Sequence, residues 1–170
     1  YENMRWYLWG AYSLGYVNKD YEDVDKVLHT YRTHYDRRHN MNLMATYTAG
    51  SKHQWEISAR WNFGTGFPFT KVSAFYEKLP YDNIYFDPYT ESGYLGIIYD
   101  ELNTGQLPTY HRLDIDVKRK FYFTENVILE ADFSVTNVYD RQNIFYIDIV
   151  STEFIYQLPL MPSIGLTLSF

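Results

Sequence analysis

Residues 54–66 read Gln54-Trp55-Glu56-Ile57-Ser58-Ala59-Arg60-Trp61-Asn62-Phe63-Gly64-Thr65-Gly66. The odd positions from 55 to 63 are all apolar, whereas the even positions carry amide, charged or hydroxyl side chains, or glycine. Successive side chains of a β-strand point to opposite faces, so this stretch predicts a strand with one apolar and one polar face.

The same alternation recurs in five other stretches of the chain. They are residues 5–17, 36–49, 112–123, 127–135 and 163–170. The pattern is looser in the first stretch, where Trp6, Leu8, Tyr12, Leu14 and Tyr16 form the apolar face. In the second stretch Met44 alone intrudes on the polar face. The chain is therefore predicted to be all-β, with six long antiparallel strands.

The strands of a soluble sandwich also alternate apolar and polar residues, so this pattern alone does not identify a membrane barrel. Strand length and connection length distinguish the two. Most of these stretches have about 10 to 14 residues, against about 5 or 6 in a usual globular strand and about 9 to 11 in a tilted transmembrane strand. Tight turns near 50–52 and 124–126 alternate with long connections at 18–35, 67–109 and 140–162. This asymmetry is typical of outer-membrane barrels, so we expect an antiparallel transmembrane β-barrel segment whose polar faces line a lumen.

Charged side chains on the apolar faces are expected only near strand ends. Arg37 and His39 lie at one end and Arg119 at the other, where long side chains can reach lipid head groups. An arginine at the bilayer midplane would cost about 2 to 4 kcal/mol. If the tight turns are periplasmic, Phe170 is expected at the periplasmic rim, as the end of the polypeptide and next to the first strand of the barrel.

Composition excludes several classes of protein. The 15 Lys and Arg residues against 21 Asp and Glu residues give a net charge of -6, which disfavours a nucleic-acid binder. The absence of cysteine excludes disulfides, thiolate metal sites and cysteine catalysis. No apolar run approaches the 18 or so residues of a transmembrane helix.

The number of strands predicts that the chain is one part of a larger barrel. Known bacterial barrels start at about eight strands, and an open sheet edge in lipid would leave backbone groups without partners. The chain also opens in the middle of a pattern, with Tyr-Glu-Asn-Met-Arg-Trp. We therefore expect the missing strands to come from upstream sequence.

Five segments of the chain resemble the barrel end of TonB-dependent outer-membrane receptors of the Bacteroidetes type. In order, they are Asp36-Arg37-Arg38-His39-Asn40, residues 58–70 (SARWNFGTGFPFT), residues 107–114 (LPTYHRLD), residues 135–143 (VTNVYDRQN) and Leu166-Thr167-Leu168-Ser169-Phe170. The resemblance extends from about Asp36 to the end of the chain and says little about a substrate.

The resemblance implies a location and a set of partners. Residues 1–170 would be the C-terminal part of a barrel of about 22 strands in the outer membrane of a Gram-negative bacterium, with a plug domain upstream. Import of an organic nutrient (a glycan, a peptide or a metal chelate) would be driven by the TonB complex. The outer-membrane assembly machinery would recognise Leu166, Leu168 and Phe170. A surface lipoprotein is a further candidate partner, and no cofactor or nucleic acid is expected.

The long connection at 67–109 is the candidate ligand-binding segment. Its candidate residues are Tyr76, Tyr81, Tyr85, Asp87, Tyr89 and Tyr94. Aromatic rings beside carboxylates suit sugars, peptides or cationic groups, but the same rings could simply pack the loop onto its neighbours. The sequence leaves these two alternatives open.

Other chemistry-bearing residues predict no enzyme. Asp114 and Asp116 share one strand face with Arg112, Lys118 and Lys120, which favours a ladder of ion pairs over an acid and base pair. Histidines 29, 34 and 39 recur every five residues, and His53 and His111 lie elsewhere in the chain. A five-residue spacing puts neighbouring members on opposite faces of a strand, and no carboxylate or thiol completes a set of ligands, so loop or interface histidines are favoured over a metal or haem site. Gly64-Thr65-Gly66 ends a strand and lacks the lysine of a phosphate loop, and no Gly-x-Ser-x-Gly motif occurs.

The charges also predict the register of the hairpin that turns at 124–126. One allowed register places Asp116 opposite Asp132. The next allowed register pairs Lys118 with Asp132, Lys120 with Glu130 and Asp116 with Ser134. Opposite charges across a ladder contribute about 0.2 to 1 kcal/mol each and like charges cost a similar amount, so we expect the second register. A passive porin or structural barrel segment, and a soluble tyrosine-rich sandwich, remain alternative interpretations of the whole chain.

Overall fold

The computed structural model describes residues 5–79, 85, 87, 93–124 and 126–170. These residues form fourteen strands and no helix. The strands are β1 (Trp6–Leu14), β2 (Asn18–Glu22), β3 (Leu28–Arg32), β4 (His39–Ala49), β5 (Trp55–Gly64), β6 (Pro68–Phe69), β7 (Val72–Lys78), β8 (Tyr94–Tyr99), β9 (Gly105–Gln106), β10 (Tyr110–Tyr122), β11 (Ile128–Thr136), β12 (Ile144–Ile147), β13 (Phe154–Tyr156) and β14 (Met161–Ser169). Among the described residues, no helix is long and apolar enough to span a membrane.

Six long strands form one antiparallel sheet in the order β1-β4-β5-β10-β11-β14. They have 9 to 13 residues each and correspond to the six stretches that the alternation predicts. Each strand is bonded to its neighbours in the sheet. The sheet is open in the described residues, with β1 and β14 as its outer strands. The all-β prediction is therefore confirmed.

The predicted register of the β10–β11 hairpin is also confirmed. Lys118 pairs with Asp132 and Lys120 with Glu130, with nitrogen to oxygen distances of 3.8 and 3.7 Å. The Phe123 N–H donates to the carbonyl of Val127 at 3.0 Å, which closes the turn. Charge pairing and turn geometry thus favour the same register.

The register joins residues of like polarity into rows across all six strands. One row is apolar: Trp6, Tyr47, Ile57, Val117, Phe133 and Ile164. The adjacent row, one residue along, is mostly hydroxylic: Tyr7, Thr46, Ser58, Asp116, Ser134 and Ser163. Hydrogen bonds connect hydroxyl pairs in the second row, Thr46 with Ser58 at 3.0 Å and Ser134 with Ser163 at 2.6 Å. The sheet therefore has one apolar face and one polar face.

The apolar face has no covering layer in the described part of the chain. No apolar side chain of the six long strands is buried, and Ile164, in the middle of β14, is 78% exposed. A soluble sandwich places a second sheet on such a face to make its core. Within the described residues this sheet has no such core.

The long connections contain short hairpins that the alternation does not predict. They pair β2 with β3, β6 with β9, β7 with β8, and β12 with β13. Their strands have two to seven residues, and many of their apolar side chains are exposed. Short strands without one buried face give no period-two signal, which is why the sequence pattern misses them.

The contacts divide the chain into two compact units. The first contains residues 1–16, 37–66 and 108–170, and therefore the six-stranded sheet with the β12–β13 hairpin. The second contains residues 17–36 and 67–107. In the second unit the Asn103 side-chain amide donates to the Arg32 carbonyl at 2.6 Å, and the Asn103 backbone N–H donates to the Thr70 hydroxyl at 3.1 Å. Asn103 thereby connects the β2–β3 hairpin to the connection between β5 and β10.

Arg37 differs from its predicted position on the apolar face. A Cβ added to Gly64 would lie 2.7 Å from the Arg37 side chain. The Arg37 guanidinium also lies 5.3 Å from the Tyr110 ring centroid. Gly64 and Tyr110 occupy polar-face positions in β5 and β10. The prediction for Arg37 is wrong because β4 starts only at His39, so the alternation of β4 does not extend back to residue 37.

Candidate functional site

The polar face of the large sheet carries a ladder of charges. Arg112 donates to Asp114 through Nε and Nη2, at 3.1 and 2.9 Å. Asp114 pairs in register with Arg60, and Asp116 pairs with Ser58 and Ser134. Together with the two Lys pairs of the β10–β11 hairpin, these contacts form the predicted ion-pair ladder.

A shallow groove of about 340 Å³ lies on this face. Its lining includes Met44, Arg60, Asp114, Asp116, Lys118 and Asp132. Asp114 is already bonded to Arg112 and accepts a hydrogen bond from the Asn137 backbone N–H at 3.0 Å. It is therefore held in position by structural contacts, as expected of a ladder member.

Met44 on β4 pairs with Trp9 on β1. Trp9, like Met44, is a large apolar residue at a polar-face position of its strand. Both side chains lie on the polar face, and Met44 faces Arg60 on its other side. The looser pattern of β1 and the intrusion in β4 are thus one feature, a small apolar patch at the edge of the charged groove.

A tight turn centred on Asn137 closes one end of β10, β11 and β14. Asn137 is 0% exposed and has a φ of 54°. Its side-chain amide donates to the carbonyls of Arg141 and Leu158 at 3.0 and 3.1 Å, and its side-chain oxygen accepts from the Arg141 N–H at 3.1 Å. One asparagine therefore satisfies three backbone groups of the connection between β11 and β14.

A second asparagine fixes the same connection to β10. The side-chain amide of Asn143 donates to the His111 carbonyl at 2.9 Å, and its oxygen accepts from the His111 N–H at 3.2 Å. The Arg141 guanidinium donates to the Thr109 carbonyl at 2.9 Å. Asn137, Arg141 and Asn143 all lie in the 135–143 segment, so that segment forms the base of the last long connection.

Only part of the predicted ligand segment lies in the described residues. Tyr76 pairs with Gly96, and Lys78 pairs with Tyr94, so that Tyr76 and Tyr94 occupy one face of the β7–β8 hairpin. Tyr94 is 68% exposed. Tyr85 and Asp87 are described, and Tyr85 is exposed, whereas Tyr81 and Tyr89 lie outside the described residues. The ligand-binding role of the segment stays a prediction.

The three predicted assembly residues lie on or next to β14. Leu168 pairs with Leu129 and Leu166 with Ala131, both on the apolar face, and Phe170 follows the strand with its side chain exposed. Their recognition by assembly machinery stays a prediction.

The histidines contact different partners and do not cluster. His39 Nδ1 lies 2.8 Å from the Tyr12 hydroxyl, and His111 Nδ1 lies 2.7 Å from the Tyr139 hydroxyl. His29 lies 2.9 Å from Asp23. A backbone hydrogen bond from Val27, followed by the His29 side chain, lowers the pKa of Asp23. No group of three or more metal-ligating side chains occurs among the described residues.

Aromatic rings border the apolar face at both ends, a feature that the sequence reasoning did not single out. At the tight-turn end, near residues 50–54 and 123–127, Trp6 packs on Tyr47 with 4.5 Å between centroids, and Trp55 and Phe121 lie next to Arg119. At the opposite end, where the long connections leave the sheet, are Tyr12, His39, Trp61, Phe63, His111 and Tyr139. Between these borders the face carries mainly aliphatic side chains. The sequence does contain a signal for these borders, since Trp55 and Phe63 lie near the two ends of the alternating stretch 54–66.

No family model, curated protein or solved structure matches this chain. The geometry of the sheet is therefore the main guide to its function.

Proposed function

We propose that this chain is the C-terminal barrel segment of an outer-membrane receptor that imports an organic nutrient with energy from the TonB complex. The observation that carries the membrane part of the proposal is the continuous apolar face of six long strands, which has no buried side chain in the described residues. In water such a face would be an aggregation surface, whereas in a bilayer it is the normal exterior of a barrel.

Strand length supports a bilayer as the environment. β5 has ten residues, which at about 3.4 Å per residue and a tilt of about 45° cover about 24 Å along the membrane normal. The aromatic borders lie at the two ends of this span, as the aromatic girdles of outer-membrane barrels do at the lipid interfaces. Arg119 lies in one border and His39 in the other.

Closure of the barrel requires strands beyond this chain. β1 and β14 each have one neighbour in the described sheet, and a strand at a sheet edge in lipid needs a second strand as its hydrogen-bonding partner. We propose that upstream strands of the parent polypeptide pair with both edges. The charged polar face would then line the lumen.

Brominated lipids test the orientation of the sheet. Because the chain contains no cysteine, Ile57→Cys and Ser58→Cys variants of the complete parent protein can each carry a fluorophore at the new cysteine. Position 57 lies on the apolar face and position 58 on the polar face. In vesicles, brominated acyl chains should quench the label at position 57 strongly and the label at position 58 weakly. Equal quenching would refute the membrane orientation, as would a parent protein that is monodisperse without detergent.

The importer part of the proposal rests on the resemblance and on the long connections with their exposed tyrosines. A plugged importer should give no steady conductance when the purified parent protein is added to a planar bilayer, and uptake should stop in cells without TonB. A steady open conductance with uptake independent of TonB would instead support a passive porin. Mass spectrometry of ligand extracted from the purified parent would identify the substrate class.

A further inference from the structure

Arg119 is a cation on the apolar face of the sheet, at the tight-turn end. It pairs in register with Trp55 on β5 and with Ala131 on β11. Its guanidinium carbon lies 4.6 Å from the Trp55 ring centroid and 4.4 Å from that of Phe121. Two aromatic rings therefore hold the guanidinium in place through cation–π contacts.

The charge of Arg119 has no protein counter-ion in the described part of the chain. The ion pairs found there involve Asp23, Asp36, Asp114, Asp132 and Glu130 with other bases. Its neighbours on the same strand, Lys118 and Lys120, lie on the polar face and have acidic partners there. The five N–H donors of the Arg119 guanidinium are thus positioned among aromatic and aliphatic side chains.

The surface beside Arg119 is open and apolar. Ala131 lies directly across from it, and Leu166, 70% exposed, lies beyond Ala131. The small Ala131 side chain thus lies between Arg119 and Leu166 in one row of the apolar face, and Val117 and Phe133 belong to the next row. A hydrocarbon chain can lie over this small residue and against the exposed Leu166 while its polar end meets the guanidinium.

We propose that Arg119, Trp55 and Phe121 form a binding site for the headgroup phosphate of an anionic phospholipid, with an acyl chain lying over Ala131. A phosphate accepts two parallel hydrogen bonds from one guanidinium, and rings that fix the plane of the guanidinium lower the cost of ordering it. The inference rests on the proposed membrane location and adds a specific lipid partner to it.

Native mass spectrometry of the complete parent protein, delipidated in detergent and titrated with phosphatidylglycerol, tests the site. We expect Arg119→Gln to weaken the tightest bound phosphatidylglycerol by about tenfold, since a charge-assisted hydrogen-bonded contact is lost. The matched control is Arg38→Gln, because Arg38 has a similar cation–π contact, 4.6 Å from the Tyr16 ring, near the opposite end of the sheet. This control should retain the tight lipid, and equal weakening in both variants would overturn the proposal.

Three further measurements show which part of the arginine and which part of the lipid are needed for binding. Arg119→Lys keeps the charge but loses the planar fork, so its affinity should fall between those of the parent and the Gln variant; an affinity equal to that of the parent would refute the stacked guanidinium site. Diacylglycerol, which has the same chains without phosphate, should bind both proteins equally. Glycerol phosphate, which has no chains, should fail to displace the lipid, and displacement would mean that the site takes a free phosphate instead.

Failure of the site and failure of the membrane proposal give different results. A detergent-dependent parent whose lipid affinity is unchanged by Arg119→Gln would refute the site alone. A parent that is monodisperse without detergent would refute both.

Discussion

Asn137 combines a backbone conformation and a set of hydrogen bonds that few residues can supply together. Its positive φ is tolerated by asparagine and glycine, and its amide satisfies three backbone groups at the end of the sheet. Gly64, by contrast, must have no side chain, because the Arg37 side chain occupies the space that a Cβ would take. Single residues at strand ends thus determine how the long connections leave the sheet.

Replacement of Asn137 should destabilise the protein strongly. We expect Asn137→Ala to lower the free energy of unfolding by about 3 kcal/mol, since buried carbonyls and an N–H lose their partners. Asn137→Gly should cost about 1 kcal/mol less, because glycine accepts the positive φ without strain. Urea unfolding of the parent protein from lipid vesicles measures both, and an Ala variant within about 0.5 kcal/mol of the parent would show that water replaces the lost bonds.

The close approach of Arg37 to Gly64 predicts a coupled pair. Gly64→Ala should destabilise by about 1 to 2 kcal/mol because its methyl group displaces the Arg37 side chain, and a second change, Arg37→Ala, should remove most of that penalty. Gly15→Ala is the control, since an added Cβ there has no neighbour within 4 Å. Additive effects of Gly64→Ala and Arg37→Ala in a double-mutant cycle would contradict the contact.

At the scale of elements, charge pairs and turn geometry act together on the β10–β11 hairpin. The turn is closed by the Phe123 to Val127 bond and by the Thr124 hydroxyl, which accepts from the Val127 N–H at 3.1 Å. The same register brings Lys118 to Asp132 and Lys120 to Glu130. A slip by one residue would turn the charges of one strand to the apolar face.

Charge reversal tests the contribution of the pairs to this hairpin. Lys118→Asp places a carboxylate between Asp132 on β11 and Glu56 on β5 and should lower the free energy of unfolding by about 1 to 2 kcal/mol. The exchange Lys118→Asp with Asp132→Lys should restore about half of the loss, because the carboxylate at position 118 still faces Glu56. The side chains are about one-third exposed, so high salt should reduce the difference. A reversal without effect in low salt would mean that the turn alone sets the register.

The long strands could be predicted from sequence because one period-two pattern is repeated in each of them, and hairpin charges then selected the register. The short hairpins in the connections could not, since β6 and β13 have two and three residues and leave no pattern. Arg37 was misplaced because alternation holds only inside a strand. The bonds of Asn137 and Asn143 depend on contacts with residues distant in sequence, so only the resemblance drew attention to their segment.

At the scale of the whole molecule, the large sheet lacks what stabilises a soluble domain. Folding of a soluble domain depends on burying apolar surface, and the six long strands bury no apolar side chain. Hydrogen bonds along five strand pairs and the turns at the strand ends define the sheet, and under the proposed function a surrounding apolar medium covers its exposed face. A bilayer provides such a medium on one side and leaves the charged face in water.

Two arginine substitutions at adjacent positions of the central strand β5 separate these environments. Ala59 lies on the apolar face in the middle of β5, opposite Ala45 and Ile115, and Ser58 lies on the polar face next to it. In a bilayer, Ala59→Arg should reduce the free energy of folding into vesicles by about 2 to 4 kcal/mol, whereas Ser58→Arg should cost less than about 1 kcal/mol. In water a partly exposed position would tolerate arginine at either site. Equal costs, measured by urea titration of the parent protein in vesicles, would therefore mean that lipid does not cover the apolar face.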